Sequence, residues 1–168
     1  RSFGWEDTMP QFSHLPLIMK PVGNGKLSKR DGAKFGIPVY PLAWGKPGDA
    51  DYAPGFRENG FIPEAMVNFL ALLGWHPEDE QEIFTIEQLI EAFSMERINK
   101  GGARFDYEKA KWFNQKYIQG MDNVSLAKMI RPYTDAKSYA VTDEYLASVV
   151  GLMKERVTLL PDFTEQGY

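Results

Sequence analysis

The sequence predicts a mainly α fold, entered through one short strand and a cationic loop. Three observations predict it. From Pro63 onward, apolar residues recur every three or four positions in segments that open on capping residues. Between residues 35 and 60, four prolines and five glycines forbid a long helix. Residues 11–19, QFSHLPLIM, make a short apolar run, broken by Pro16, that ends at Pro21 beside a loop dense in lysine and arginine.

The elements follow in chain order. Residues 11–19 read as a buried strand that delivers the loop GNGKLSKRDG, residues 23–32, in which Lys26, Lys29 and Arg30 crowd into five positions between Gly25 and Gly32. Residues 35–60 read as an ordered excursion or hairpin packed by Phe35, Tyr40, Trp44 and Tyr52. The first helix is expected over 63–73, with Pro63 at its first position, Gly74 as its stop and apolar residues on most of its circumference, so it should be central and buried. TIEQLIEAF, 85–93, has Thr85 as cap and Gln88 three residues on, the pattern of a capping box, with Ile86, Leu89, Ile90 and Phe93 at helical spacing. Gly101 and Gly102 are expected to end a helix, and Asp106 to cap the next, which runs to Gly120. Two more, over 125–133 and 142–160, open on Ser125 and Thr142. Trp112, Phe113 and Tyr117 share one apolar face and read as core.

The chain of 168 residues, with 43% hydrophobic and 14% aromatic residues, can build the core of one domain or one and a half. It has no cysteine, which excludes disulfides, thiol nucleophiles and thiolate metal sites, and its only histidines, His14 and His76, are too few and too far apart for a zinc site. No metal site is expected. No apolar run approaches the roughly 20 residues of a membrane helix, so a cytoplasmic protein without membrane partners is the expectation. The opening RSFGWEDTMP reads as the end of an element already under way, and the chain as a piece of something longer.

The net charge is −4, but it is unevenly spread. Residues 20–34 hold Lys20, Lys26, Lys29, Arg30 and Lys34 against Asp31 alone. Residues 97–116 hold Arg97, Lys100, Arg104, Lys109, Lys111 and Lys116 against Asp106 and Glu108, while 78–96 is strongly acidic. Two basic patches on an acidic body suit one oriented polyanion. Lysine is a mobile point charge, and two lysines separated by Leu27 and the small hydroxyl residue Ser28 could close over a triphosphate.

KLSKR, Lys26 to Arg30, resembles the second signature loop of class I aminoacyl-tRNA synthetases, Lys-Met-Ser-Lys-Ser in consensus form. The flanking stretches PQFSHLPLIMKPVGNGKLSKRDG, GFIPEAMVNFLALLGW, IEAFSMERINKGGARFDYEKAKWFNQKYI and YLASVVGLMKERVTLL resemble bacterial glutamyl-tRNA synthetases in order and spacing. The resemblance implies that Lys29 contacts ATP, that Lys26 helps hold its phosphates as the adenylate forms, and that Ser28 keeps the middle hydroxyl. Leu27 stands for the methionine and Arg30 for the final serine. It implies a phosphate loop and helical stem-contact domain over 1–105, with an insertion at 35–60, then the start of an all-α anticodon-binding domain over 106–168. Arg97, Lys100, Arg104, Lys109 and Lys111, near that junction, are expected to meet tRNA phosphates. The whole protein would use ATP with Mg2+ to activate L-glutamate and transfer it to tRNA(Glu), as a monomer. The fragment alone would be inactive, because the His-Ile-Gly-His signature and the glutamate pocket of the family lie upstream of Arg1. The alternative is a non-catalytic RNA-binding module. His14 is expected to pack or to hydrogen-bond backbone rather than to catalyse.

Overall fold

The computed structural model describes residues 2–10 and 12–165. Gln11, the first residue of the expected strand, and residues 166–168 of the expected last domain lie outside them. Seven α-helices and one two-stranded sheet are described: β1 (Ile18–Met19), α1 (Lys29–Phe35), α2 (Pro63–Gly74), α3 (Ile86–Ala92), β2 (Ala103–Arg104), α4 (Tyr107–Gly120), α5 (Asn123–Ala136), α6 (Asp143–Met153) and α7 (Asp162–Glu165). The mainly α class holds.

α2 and α4 form the centre. Ile62, Ala65, Ile118, Leu126, Ile130, Leu146, Val150 and Val157 make one buried cluster that joins the start of α2 to α4, α5 and α6. Phe61, Met66, Phe69, Phe105 and Phe113 make a second. Within it Phe69 meets Phe105 edge to face, with centroids 5.3 Å apart and planes at 87°. Trp112 and Tyr117 are partly buried against these clusters, so the α4 aromatics are core, as their spacing predicts. One buried amide, Asn114, ties the halves together: its Oδ1 accepts from Ile62 N–H at 2.7 Å, and its Nδ2 donates to Thr158 C=O at 2.6 Å and to Gly60 C=O at 3.3 Å. Asn68 is buried too, its Oδ1 accepting from Phe84 N–H and lying 2.9 Å from the Tyr117 hydroxyl. Burial pushes the Tyr117 phenol up to about 12.

Several expectations need correction. The strand before the loop is two residues long and is not buried: Leu15, Leu17 and Ile18 are exposed, and it pairs in parallel with β2, Ile18 opposite Ala103 and Met19 opposite Arg104. β2 itself has too few residues to show period-two alternation. Gly101 and Gly102 end no helix. α3 stops at Ala92, a single 3-10 turn spans Met95–Arg97, and the glycines lead directly into β2. The helix over 63–73 is central but open on one side, since Val67 and Leu70 are nearly half exposed. In α3 the capping box of Thr85 and Gln88 forms, yet only Leu89 is buried, with Ile86, Ile90 and Phe93 exposed.

α5 is capped three residues earlier than expected, by Asp122 rather than Ser125, and the Asp122 carboxylate accepts from Ser125 N–H at 2.9 Å. The helix expected over 142–160 ends at Met153. Beyond it, the Asp162 carboxylate gathers Thr158 N–H, Thr158 O–H and Leu159 N–H and turns the chain into α7. Val157 and Leu160 are buried from this turn, so their apolar spacing imitates a longer helix. Between Gly36 and Gly60 the excursion is ordered: Trp44 and Ala53 exchange both backbone hydrogen bonds, at 2.8 and 3.0 Å. Phe56 N–H and Arg57 N–H then donate to Tyr40 and Pro41 carbonyls.

Candidate functional site

The lysine loop hangs between β1 and α1. Leu27 N–H donates to Ile18 C=O at 2.7 Å and Lys20 N–H to Gly25 C=O at 3.1 Å, so residues 20–25 double back on themselves. That turn needs left-handed backbone at Gly23 (φ 82°) and Gly25 (φ 99°), which a residue with Cβ rarely adopts. From β2, the Arg104 guanidinium closes the base of the turn, donating to Gly23 C=O at 2.8 Å and Lys20 C=O at 3.2 Å.

Ser28 ends the loop and begins α1. Its N–H and its hydroxyl both donate to one oxygen of Asp31, at 2.9 and 2.5 Å, while the other Asp31 oxygen pairs with Lys20 Nζ at 3.0 Å. These partners, the Ser28 hydroxyl foremost, hold the Asp31 carboxyl down at about 2. The sequence treats Asp31 only as the lone anion of a basic stretch. Its role as the reciprocal partner in a capping box was there to be found in the Ser-x-x-Asp spacing. The same spacing makes residues 29–35 helical, so Gly32 lies inside α1 and does not bound the loop.

Of the loop cations, Lys26 pairs by backbone bridge with Met19 and leaves its side chain exposed. Lys29, in the first turn of α1, is exposed with its Nζ 5.5 Å from the centre of the Tyr40 ring. Arg30 is exposed, and Leu27 packs on the Phe61–Phe105 cluster. An apolar groove of about 580 Å³ opens beside Ser28 and Lys29, floored by Leu42, Met66, Val67 and Leu70.

The five cations expected to meet tRNA have different settings. Arg97 pairs with Glu78 at 3.0 Å, Lys109 with Glu82 at 2.6 Å and Lys111 with Glu108 at 2.8 Å. Lys109 also lies 4.0 Å from the centre of the Trp112 ring. Arg104 serves the loop base, and Lys100 is exposed without a partner among the described residues. The acidic stretch thus covers part of the basic one. Such surface pairs contribute about 0–1 kcal/mol, so a phosphate could displace them. His14 is exposed. The described residues hold no group of three or more metal-binding side chains. None of their helices is long and apolar enough to cross a membrane.

The lysine loop is thus set between a strand and a helix and followed by further helices. The family model for class I tRNA synthetases (E and Q), catalytic domain, matches residues 1–112, and the chain belongs to that family. Within it, the similarity is to glutamate–tRNA ligases. Those of Porphyromonas gingivalis and Christiangramia forsetii are each 52% identical to it, over 99% and 100% of this chain. The crystal structure of the glutamate–tRNA synthetase from Elizabethkingia anophelis superposes with a TM-score of 0.87 at 45% identity, over 95% of this chain. The chain spans about a third of the length of these relatives: 33% of each ligase and 32% of the crystallised chain.

Proposed function

We propose that this chain supplies the lysine loop and adjoining helices of a glutamate–tRNA ligase, which activates L-glutamate with ATP and transfers it to tRNA(Glu). The observation that carries the reading is the loop itself. Two exposed lysines flank a serine whose backbone and hydroxyl are pinned by Asp31, while the turn before them rests on glycines. Fixed base and free ammonium groups suit a charge that must meet phosphate as it develops. In this reading Lys26 and Lys29 stabilise negative charge on ATP, brought as its Mg2+ complex, as pyrophosphate departs from the adenylate. Ser28 sets the spacing between the two lysines.

The same reading assigns residues 1–105 to the end of the catalytic domain and the stem-contact helices, with 35–60 inserted, and 106–168 to the start of the anticodon-binding helices. Lys100 is the cation best disposed to meet a tRNA phosphate, with Arg97, Lys109 and Lys111 available once their carboxylates are displaced. The full-length protein acts as a cytoplasmic monomer. Lys29→Ala in the full-length protein tests the reading by pre-steady-state adenylate formation at saturating ATP. Loss of one preorganised charge contact lowers a rate by about 10²–10³. A change below about threefold, the range of ordinary surface substitutions, would refute it.

A further inference from the structure

The excursion at 37–56 is built against the lysine loop. After α1 the chain turns at Gly36 and runs back along the helix, with Ile37 N–H donating to Gly32 C=O at 2.9 Å. Val39 then presses on Gly32, where a Cβ would lie 2.5 Å from Val39 Cγ1 and 2.8 Å from Ile37 O. Only glycine permits this approach, and it sets the next residue, Tyr40, beside the first turn of α1, with its ring centre 5.5 Å from Lys29 Nζ. Ring and backbone of Tyr40 each have a partner. The ring stacks on Trp44 with centroids 5.6 Å apart and planes at 17°, and Tyr40 C=O accepts from Phe56 N–H at 2.8 Å. Trp44 is fixed in turn by its two hydrogen bonds with Ala53. Lys29, Tyr40 and Trp44 border one cavity of about 470 Å³ between α1 and this hairpin.

We infer that the hairpin is a positioning device for Lys29, in which the face of Tyr40, backed by Trp44, restrains the ammonium group. Tyr40 is a positioning residue and touches no reacting atom. An ammonium over an aromatic face at an exposed site is favoured about two- to fivefold. That narrows the rotamers of a long, flexible side chain. The inference rests on the proposed role of Lys29 toward ATP.

A double-mutant cycle in the full-length protein tests it, read by pre-steady-state adenylate formation and, separately, by ATP affinity. Tyr40→Leu should lower the rate about two- to fivefold, and Tyr40→Phe, which keeps the ring face, should restore it. Combined with Lys29→Ala, Tyr40→Leu should cost nothing further, because the group it positions is gone. A wild-type rate for Tyr40→Leu, no rescue by Tyr40→Phe, or an equal further loss in the double variant would each overturn the positioning role. The last is what a merely structural contribution produces. If Lys29→Ala itself keeps the wild-type rate, the proposed ATP role fails first and the positioning role with it.

Discussion

Arg104 sits in the basic patch expected to meet tRNA, yet its guanidinium is committed to the loop base, where it donates to Gly23 and Lys20 carbonyls at 2.8 and 3.2 Å. Removing it as Arg104→Met keeps an unbranched stem and deletes both bonds. A hydrogen bond from a charged donor is worth about 1.5–3 kcal/mol when shielded, and Arg104 is exposed, so about 1–2 kcal/mol for the pair is a reasonable discount. The loop base should then open about 5–30 times more often. The readout is amide hydrogen exchange at Lys20 and Leu27, whose N–H groups donate to Gly25 and Ile18 carbonyls within that base. Exchange there should accelerate by that factor, while amides of α5 and α6 stay unchanged. If Lys20 and Leu27 exchange at wild-type rates, the clasp contributes nothing, and Arg104 returns to the group of candidate phosphate contacts.

Two other outcomes follow from the described geometry. Asn114→Ala should strand the buried Ile62 N–H and Thr158 C=O, at about 1–3 kcal/mol each. A urea titration followed by circular dichroism should show the midpoint falling by roughly 1–3 M for a slope near 2 kcal/mol/M, and a shift below about 0.3 M would show that relaxation or water replaces the amide. Asp31 has a depressed carboxyl, so its contribution is complete above the ordinary value of 3.8 and disappears as pH falls through about 2. Its side-chain carboxyl carbon, followed by NMR in acid, should titrate near 2 in the wild type and move up toward the ordinary value in Ser28→Ala with Lys20→Met, where only the residue 28 N–H bond remains. A wild-type midpoint near 3.8 would mean that the Ser28–Asp31–Lys20 set does not persist in solution.

Much of this was legible because the signals were local. Thr85 with Gln88, Asp106, Thr142 and Pro63 each announce a helix start through groups within four residues, and each start is found. KLSKR is likewise a contiguous signal. What escaped the sequence depends on partners far along the chain. β1 needs β2, the loop base needs Arg104, and Tyr40 reaches Lys29 only because Gly32 admits Val39. Ile86, Ile90 and Phe93 carry a helical period but stay exposed among the described residues, and periodicity records which residues share a face, never what lies opposite.

The parallel pairing of Ile18 with Ala103 joins points 85 residues apart, 103 less 18. Parallel strands so distant cannot meet until the intervening chain exists and has collapsed, and closing so long a loop is slow compared with forming helices α2 and α3. On a ribosome adding about 5–20 residues per second, roughly 4–17 s separate the synthesis of the two strands. Throughout that interval residues 20–26 lack both the β2 pairing and the Arg104 clasp, and only the bonds of their own turn, Lys20 N–H to Gly25 C=O and Leu27 N–H to Ile18 C=O, can hold them. The lysine loop therefore gains its clasp only after the helices α2 and α3 that follow it in the chain have been made.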